Sequence, residues 1–392
     1  MDFWTRAHEI KDEMVAHRRY FHENAEVGME TVKAADYVMA KLTEMGYEPR
    51  RCGGNGVVAV VGKAGGKCLM LRADMDALPM MEESGEPFAC KTGAVHACGH
   101  DMHAAWLLGA AKLLKENEGE LKGCVKLMFQ PGEEVFGGCK AMLADGVLEN
   151  PKPDVAISFH TAPGRIPLGL HMYNDTNTMM YSNDSFRIVC KGVATHGAYP
   201  ELGVSPINIA AHVYLGMQEI IAREKACTVP AVLTVGKINA GLANNSIPEE
   251  AVMEGTLRTT DKELREKLKG RLITMVEKTA EAYGGSAVVE WTAEVPPVIC
   301  NPDFTKEVLK YMAEVPVPGQ YPVPGMQASA SEDFACILDL VPGTLMYLSA
   351  GFLDRDVAPS HNSKVVFNED ALPTAAAYMA HTATRWLEDH AE

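Results

Sequence analysis

The sequence predicts an α/β protein in which a small βαββαβ domain of the ferredoxin-like pattern is inserted into a larger, discontinuous domain. Three observations predict it. Short apolar runs bounded by glycines alternate with helix-period stretches between residues 57 and 160, the pattern of a layered α/β domain. From Asp184 the order changes to strand, helix, strand, strand, helix, strand. After Pro296-Pro297 helix and strand patterns resume to the end of the chain. A chain of 392 residues exceeds what one hydrophobic core usually serves. The expected division is therefore 1–183 and 297–392 for the two parts of the larger domain and 184–296 for the insert.

Taken in order, Trp4 to Leu42 carries two stretches with helical spacing of apolar residues, broken near Glu23-Asn24-Ala25-Glu26 and closed near Gly46. The period then shortens: Val57–Val61 and Cys68–Asp74 read as strands entering a buried sheet. A helix from Met102 to Glu116 and a strand from Gly123 to Phe129 lead into the loop Gln130-Pro131-Gly132-Glu133-Glu134. A helix near Gly138 to Asp145 and a strand from Asp154 to Phe159, ending at His160, repeat the pattern. In the insert the strands are Ser185–Cys190, Ala231–Ile238, Ala251–Thr259 and Ser286–Glu294, and the helices Pro206–Arg223 and Lys262–Tyr283. Polar residues at strand ends line the ligand crevice of open α/β sheets. Asp74, Glu133, Glu134 and His160 fall at such ends.

Composition narrows the function. A net charge of -16 gives no basic footprint for phosphates or an anionic membrane surface, so neither nucleic acid nor membrane is an expected partner. The start Met1-Asp2-Phe3-Trp4 lacks a basic segment followed by an apolar one, and no stretch approaches eighteen uninterrupted apolar residues, which makes the cytoplasm the expected location. Ten cysteines without CxxC spacing read as reduced thiols rather than a disulfide framework. The 22 methionines read as core filler.

Chemistry concentrates in Cys98-Gly99-His100-Asp101-Met102-His103, a thiol, two imidazoles and a carboxylate at the expected start of a helix. Thiolate and imidazole are good donors to zinc and similar divalent ions. A buried structural arrangement of the same residues is the alternative. In Glu133-Glu134 adjacent carboxylates repel unless a cation or a proton separates their roles, so one can bind metal while the other handles protons. Taken alone, the pair is more simply a solvated acidic loop. His160 and His361 each read, taken singly, as structural histidines. Their joint occurrence with the cysteine cluster and the glutamate pair is what points to a metal site.

At these residues the sequence resembles the M20 metallopeptidases, and within them the amidohydrolase branch that contains hippurate hydrolase and N-acyl-amino-acid amidohydrolases. The resemblance runs over nearly the whole chain. It is carried by Arg72-Ala73-Asp74-Met75-Asp76-Ala77-Leu78-Pro79, His96-Ala97-Cys98-Gly99-His100-Asp101-Met102-His103, Phe129-Gln130-Pro131-Gly132-Glu133-Glu134 and Thr195-His196-Gly197-Ala198. Further carriers are Asn244-Asn245-Ser246-Ile247-Pro248, Gly255-Thr256-Leu257-Arg258, Ser331-Glu332-Asp333-Phe334 and Ser360-His361-Asn362.

The resemblance implies a zinc-peptidase-like catalytic domain, with the insert serving as a lid and dimerisation surface of a homodimer. It implies that Cys98, His100, Glu134, His160 and His361 hold two divalent metal ions, zinc first, with manganese, cobalt or nickel as alternatives. Glu133 is then the general base. His196 would reach a neighbouring subunit's site and stabilise the developing oxyanion, while Arg258, assisted by Asn245, would clamp the free carboxylate of the substrate. Two departures stand out. Many M20 peptidases have His-x-Asp where this chain has Asp74-Met75-Asp76, so Asp74 and Asp76 are expected to orient ligands without binding the ions. The common alanine before the glutamate pair is Gly132 here. His96 and His103 are expected in supporting or structural roles, and His171, His212, His381 and His390 carry no signal.

The activity implied is hydrolysis of the amide bond of an N-acyl amino acid, a small-molecule substrate, to a carboxylic acid and a free amino acid. A dipeptidase or carboxypeptidase would use the same metals with a different pocket. A cysteine hydrolase with Cys98 as nucleophile is a rival mechanism. A non-catalytic ligand-binding relative is the rival of another class, against which the intact Glu133 and the five candidate ligands argue.

Overall fold

The N-terminal apolar stretches fold as three helices rather than two in the computed structural model, which describes residues 1–63, 65–176 and 178–391. Helix α1 (Phe3–Glu9) begins at Asp2, whose carboxylate accepts the Thr5 N–H at 3.1 Å, and a single residue, Ile10, separates it from α2 (Lys11–Glu23). So short an interruption leaves the apolar period intact, which hid it from the sequence. Then come α3 (Val32–Glu44), β1 (Arg50–Cys52), β2 (Gly56–Gly62), β3 (Cys68–Asp74), α4 (His100–Glu116), β4 (Cys124–Gln130), α5 (Gly138–Ala144), β5 (Val155–Ala162), β6 (Leu170–Met172) and β7 (Thr178–Met180). The next stretch is β8 (Asn183–Lys191), β9 (Thr195–His196), α6 (Pro206–Arg223), β10 (Ala231–Ala240), β11 (Ser246–Ile247), β12 (Glu250–Thr259), α7 (Lys262–Ala282) and β13 (Ser286–Val295). The chain closes with β14 (Val298–Ile299), α8 (Pro302–Glu314), β15 (Tyr321–Val323), α9 (Ala335–Leu338), β16 (Gly343–Ser349) and α10 (Leu372–Asp389).

Two units result. The larger comprises Met1–Met179, Ile299–Gln327 and Asp333–Glu392; the smaller comprises Met180–Val298 with Ala328–Glu332. The larger unit holds an eight-stranded mixed sheet in the order β1-β2-β4-β3-β5-β16-β6-β15. Its centre is parallel: β4, β3, β5 and β16 run the same way, whereas β2 lies antiparallel to β4. Every residue of β3, β4 and β5 is buried, which explains why these strands read as continuous apolar runs without alternation. Register sets Asp74 opposite Gln130, so the ends of β3 and β4 and the loops after them open on one edge. β5 does not end at His160. Thr161 and Ala162 continue the ladder against Leu348 and Ser349, so His160 is held inside a strand.

Helix α4 is buried on all sides except at Lys112, Lys115 and Glu116, so it is a core helix rather than an amphipathic surface one. It packs between α2, α10 and β3, around Trp106, Leu107, Leu113 and Leu114. The polar residues of its first turn are carried into the interior and must find partners there.

The smaller unit has the ferredoxin-like strand order β10-β12-β8-β13, all antiparallel, with α6 and α7 packed on one face around Ile188, Val213, Met253, Leu272 and Val276. β9 and β11 form a separate two-stranded ribbon that sets His196 opposite Ser246. Among the described residues no helix is long and apolar enough to cross a membrane.

Candidate active site

The site starts at the N-terminus of α4. Gly99 caps the helix with φ 88°, and a Cβ there would lie 2.4 Å from Thr161 Oγ1, so only glycine lets the chain turn while the backbone touches β5. This turn sets Cys98 and His100 against β5. Thr161 fastens them: its hydroxyl donates to the Cys98 carbonyl at 3.0 Å, and its carbonyl accepts the His160 Nδ1–H at 2.8 Å. With Nδ1 so engaged, His160 turns Nε2 toward Cys98 Sγ, 3.4 Å away.

The second component is the loop after β4. Asp76, fully buried, accepts the backbone N–H of Glu133 at 3.0 Å with one oxygen and that of Glu134 at 3.1 Å with the other. Its own carbonyl accepts the His100 Nδ1–H at 2.9 Å. One aspartate thereby orients an imidazole and both glutamates. Gly132 has φ 60°, and a Cβ there would lie 2.3 Å from Met29 Sδ, so the glycine in place of the common alanine fits a left-handed turn packed on Met29. The third component is His361, a non-glycine residue at φ 62° whose N–H donates to the Ala97 carbonyl at 2.8 Å. Such backbone strain in a residue aimed at a cluster of donors is characteristic of functional positions.

These pieces converge. The donor atoms of Cys98, His100 and His160 lie within 4.8 Å of one another, as do those of Cys98, Glu134 and His361, and those of His100, Glu133 and Glu134. Cys98, His100 and Glu134 each belong to two of these sets, so the donors form one continuous cluster. His100 Nε2 is buried with no hydrogen-bond partner, although Asp74 Oδ2 at 3.7 Å and Glu133 Oε2 and Glu134 Oε1 at 3.9 Å surround it. A buried nitrogen lone pair ringed by carboxylates fits a cation. The electrostatics agree. Burial alone would depress His100, but Asp74, Cys98 and Asp76 outweigh it and raise its pKa well above the ordinary value, so the pocket favours positive charge at that point. Burial, with Glu134 and Glu133 adding to it, pushes the Cys98 thiol up despite His100. A nucleophilic cysteine needs the opposite shift, whereas a cation would deprotonate this thiol directly.

His103 is engaged through both ring nitrogens. Its Nδ1–H donates to Asp74 at 2.6 Å and its Nε2 accepts the Thr161 N–H at 2.9 Å, so both nitrogens are used, and burial pulls its pKa down to about 3. Asp74 is held in turn by Arg72 at 2.8 Å. Burial would raise the Asp74 carboxyl, but His100, Arg72 and His103 outweigh burial and keep it ionised. His96 is buried with Nδ1 unpartnered and its pKa lowered by burial to about 4, a neutral side chain beneath the turn.

The remaining candidates lie in the smaller unit. His196 is exposed at the start of the ribbon, its Nδ1 accepting the Ala198 N–H at 3.1 Å. Asn245 adjoins it, its carbonyl accepting the Gly197 N–H at 2.7 Å. Arg258, on β12, donates to Ser331 Oγ at 2.8 Å and to the Ser329 carbonyl at 3.3 Å. The structure thus gathers seven candidates, Asp76, Cys98, His100, Glu133, Glu134, His160 and His361, around one point with Asp74 behind them. His196 and Asn245 form a separate pair.

Three supporting residues escaped the sequence reading. Thr161 lies beyond the expected end of its strand. Arg72 and Asp333 were used only as parts of motifs, yet Arg72 Nη2 donates to Asp333 at 3.0 Å across 261 residues of sequence. For Arg72 the available signal was a charge inside an apolar run, since a buried charge needs a partner.

Residues 70–385 match the profile of Peptidase family M20/M25/M40. The chain is 34% identical over 389 residues to the N-acetyl-L-cysteine deacetylase of Bacillus subtilis, covering 98% of this chain and 90% of that protein. It is likewise 34% identical to thermostable carboxypeptidase 2 of Saccharolobus solfataricus, covering 94% of each. Among solved structures, a dinuclear metal binding peptidase from the M20 family of Bacillus subtilis superposes with a TM-score of 0.81 at 30% identity, over 97% of this chain and 99% of that one.

Proposed function

The chain belongs to Peptidase family M20/M25/M40 and is a metal-dependent amide hydrolase, and from that premise we propose that it cleaves N-acyl amino acids to a carboxylic acid and a free amino acid. The observation that carries the reading is the pair of donor sets sharing the Cys98 thiol, with a second glutamate beside them. Cys98, His100, Glu134, His160 and His361 would hold two divalent cations, which when bound would supply Lewis acidity for the scissile carbonyl and lower the pKa of a water molecule. Zinc suits thiolate and imidazole donors best; manganese, cobalt and nickel are the alternatives that metal analysis separates.

The chain's own residues do the rest. Asp76 holds the backbone of Glu133 and Glu134, so the two carboxylates cannot exchange roles. Glu133 takes the proton of the attacking water and returns it to the leaving nitrogen. His196 of the partner subunit, in a homodimer built through the inserted domain, donates to the carbonyl oxygen as negative charge develops on it. Arg258, with Asn245, receives the free carboxylate of the amino acid. Asp74 keeps His103 and Arg72 in place and is not itself a ligand. The domain boundaries proposed for this architecture are 1–183, 184–296 and 297–392. All ten cysteines are free thiols, in keeping with a proposed cytoplasmic location.

A second reading, a carboxypeptidase of the same mechanism, is favoured by the carboxypeptidase-named relative. A panel of N-acetyl and N-benzoyl amino acids against dipeptides, with metal analysis of the freshly purified protein, separates the two. The expected result is faster turnover of the acyl substrates, two divalent ions per chain and full loss of activity with a chelator. Preference for dipeptides would move the assignment to the second reading, and activity unaffected by chelation would remove both.

A further inference from the structure

The loop that carries Glu133 and Glu134 runs between Gln130, the last residue of β4, and Cys139, in the first turn of α5. Both ends of that loop are bonded to one residue far away in sequence. Gln130 Nε2 donates to Asp333 Oδ1 at 2.6 Å, and the Cys139 N–H donates to Asp333 Oδ2 at 3.1 Å. Arg72 Nη2 donates to Asp333 Oδ1 at 3.0 Å. The Asp333 carboxylate is thus completely buried and accepts from donors on β3, β4 and α5.

Asp333 also faces the base directly. Its backbone N–H donates to Glu133 Oε1 at 3.4 Å, and its carbonyl accepts the Cys336 N–H at 2.9 Å, which anchors the residue to the turn that opens α9. Arg72 is fixed from the other side. Its Nε donates to Gln130 Oε1 at 2.9 Å, its Nη1 to Asp74 Oδ2 at 2.8 Å, and its guanidinium lies 5.6 Å from the centre of the Phe334 ring.

We propose that Asp333 is a positioning residue for Glu133: its carboxylate closes the two ends of the glutamate loop on Arg72, and its N–H sets the direction of the Glu133 carboxylate. The inference rests on the reading of Glu133 as the general base. Asp76 grips the middle of the loop through the N–H groups of Glu133 and Glu134, and Asp333 grips its ends. The division of labour follows from which atoms each one holds. Asp76 fixes the backbone of metal donor and base alike, whereas the Asp333 N–H reaches a side-chain oxygen of the base. Loss of Asp333 should therefore act on the proton-handling carboxylate and spare the five donors to the cations.

The test is Asp333→Asn, which keeps the side-chain shape but turns an acceptor into a donor toward either Cys139 N–H or Gln130 Nε2. Purified variant and parent are compared for divalent metal content, thermal unfolding and the separate values of kcat and KM on the N-acyl amino acid turned over fastest. The expected outcome is unchanged metal content, KM within about twofold and kcat lower by about 10²-fold, the cost of a small misplacement of a reacting group. Should the variant fail to fold, Gln130→Met removes one end of the clamp with Asp333 intact, and kcat is expected to fall with KM and metal content preserved. A folded, metal-loaded variant with kcat near the parent's overturns the inference, as does a kcat loss matched by loss of metal. Glu133→Gln, assayed in parallel, keeps the two claims apart: if it stays active the reading of the base fails, and if it is inactive while Asp333→Asn is fully active only the positioning role fails.

Discussion

The candidate residues of the larger unit and those of the insert are held in opposite ways. His100, Asp74, Asp76, Glu133 and His160 are buried, and each is fixed by hydrogen bonds to strand ends or to the start of α4. In the insert His196, in a short two-stranded ribbon, and Asn245, just before its second strand, are exposed and held by backbone bonds and one contact to a neighbouring N–H. A cation site must be built before the ion arrives, since like charges gathered without it would drive the donors apart, and burial in a rigid frame achieves that. A group that meets a substrate needs no such frame, because the complex itself completes its surroundings. With the roles proposed above, damage to the first region acts through chemistry already in place, and damage to the second through contact with the substrate.

The largest expected effect tests the first half of that statement. Glu133→Ala removes a carboxylate whose neighbour Glu134 keeps its own backbone bond to Asp76. Turnover is expected to fall by about 10²–10⁴-fold, the range for loss of a positioned acid–base group, with metal content unchanged. Kinetics together with elemental analysis checks it. Near-normal hydrolysis by the metal-loaded variant would refute the assigned base.

A smaller effect is expected from the insert. His196→Ala should lower kcat by about 10²–10³-fold, as for loss of one donor to a developing oxyanion, without altering metal content. Because the histidine is proposed to act on the neighbouring subunit, mixing the His196→Ala and Glu133→Ala proteins under conditions of subunit exchange should restore part of the activity that each lacks. A mixed dimer has one site with both groups intact. Mixtures no more active than their components would place His196 outside the neighbouring site and break the contrast between built and assembled parts.

The same contrast governs what could be read from the sequence. The inserted unit's strand and helix order was legible because strands such as β12 and β13 alternate and its helices have one apolar face; in β12 Ala251, Met253 and Leu257 are buried while Glu250 is exposed. The parallel strands of the larger unit were legible only as apolar runs, since burial on both faces erases alternation. His160 shows the consequence: its strand runs two residues further than expected, and periodicity inside a fully buried run gives no stop signal. Cys98, His100 and the glutamate pair were visible as local clusters of donors, whereas Thr161 was not, because its part is played through a backbone N–H, a carbonyl and a hydroxyl that any apolar strand can hide. The clamp on Asp333 was likewise invisible. Its partners come from residues 72, 130 and 139, and only the fold brings them together.

The smallest effect concerns stability, and it sharpens the contrast by asking whether the buried frame has a charge of its own. His22, on α2, donates to Asp101 at 2.8 Å through Nδ1 and to Glu82 at 2.8 Å through Nε2, while Arg18 donates to the same Asp101 oxygen at 2.9 Å. Burial and Arg18 would depress the imidazole, but the two carboxylates outweigh them and raise its pKa to about 9. A pKa raised on folding contributes stability that is fully present below the unfolded value of about 6.5 and is lost as pH rises through the folded one. Asp101 and Glu82 are shifted downward, so their contributions disappear only in acid, in a separate window. Between about pH 6.5 and pH 9 the larger unit should therefore lose stability through His22. His22→Asn, uncharged throughout, should unfold at lower temperature than the parent at about pH 6, and the gap should narrow above about pH 9. Amide exchange should place the pH-dependent loss in α2 and the first turn of α4, with the amides of α6 and α7 unaffected. A gap that stays constant over that range would mean that His22 carries no charge of its own in the folded protein and that Arg18 supplies the positive charge beside Asp101.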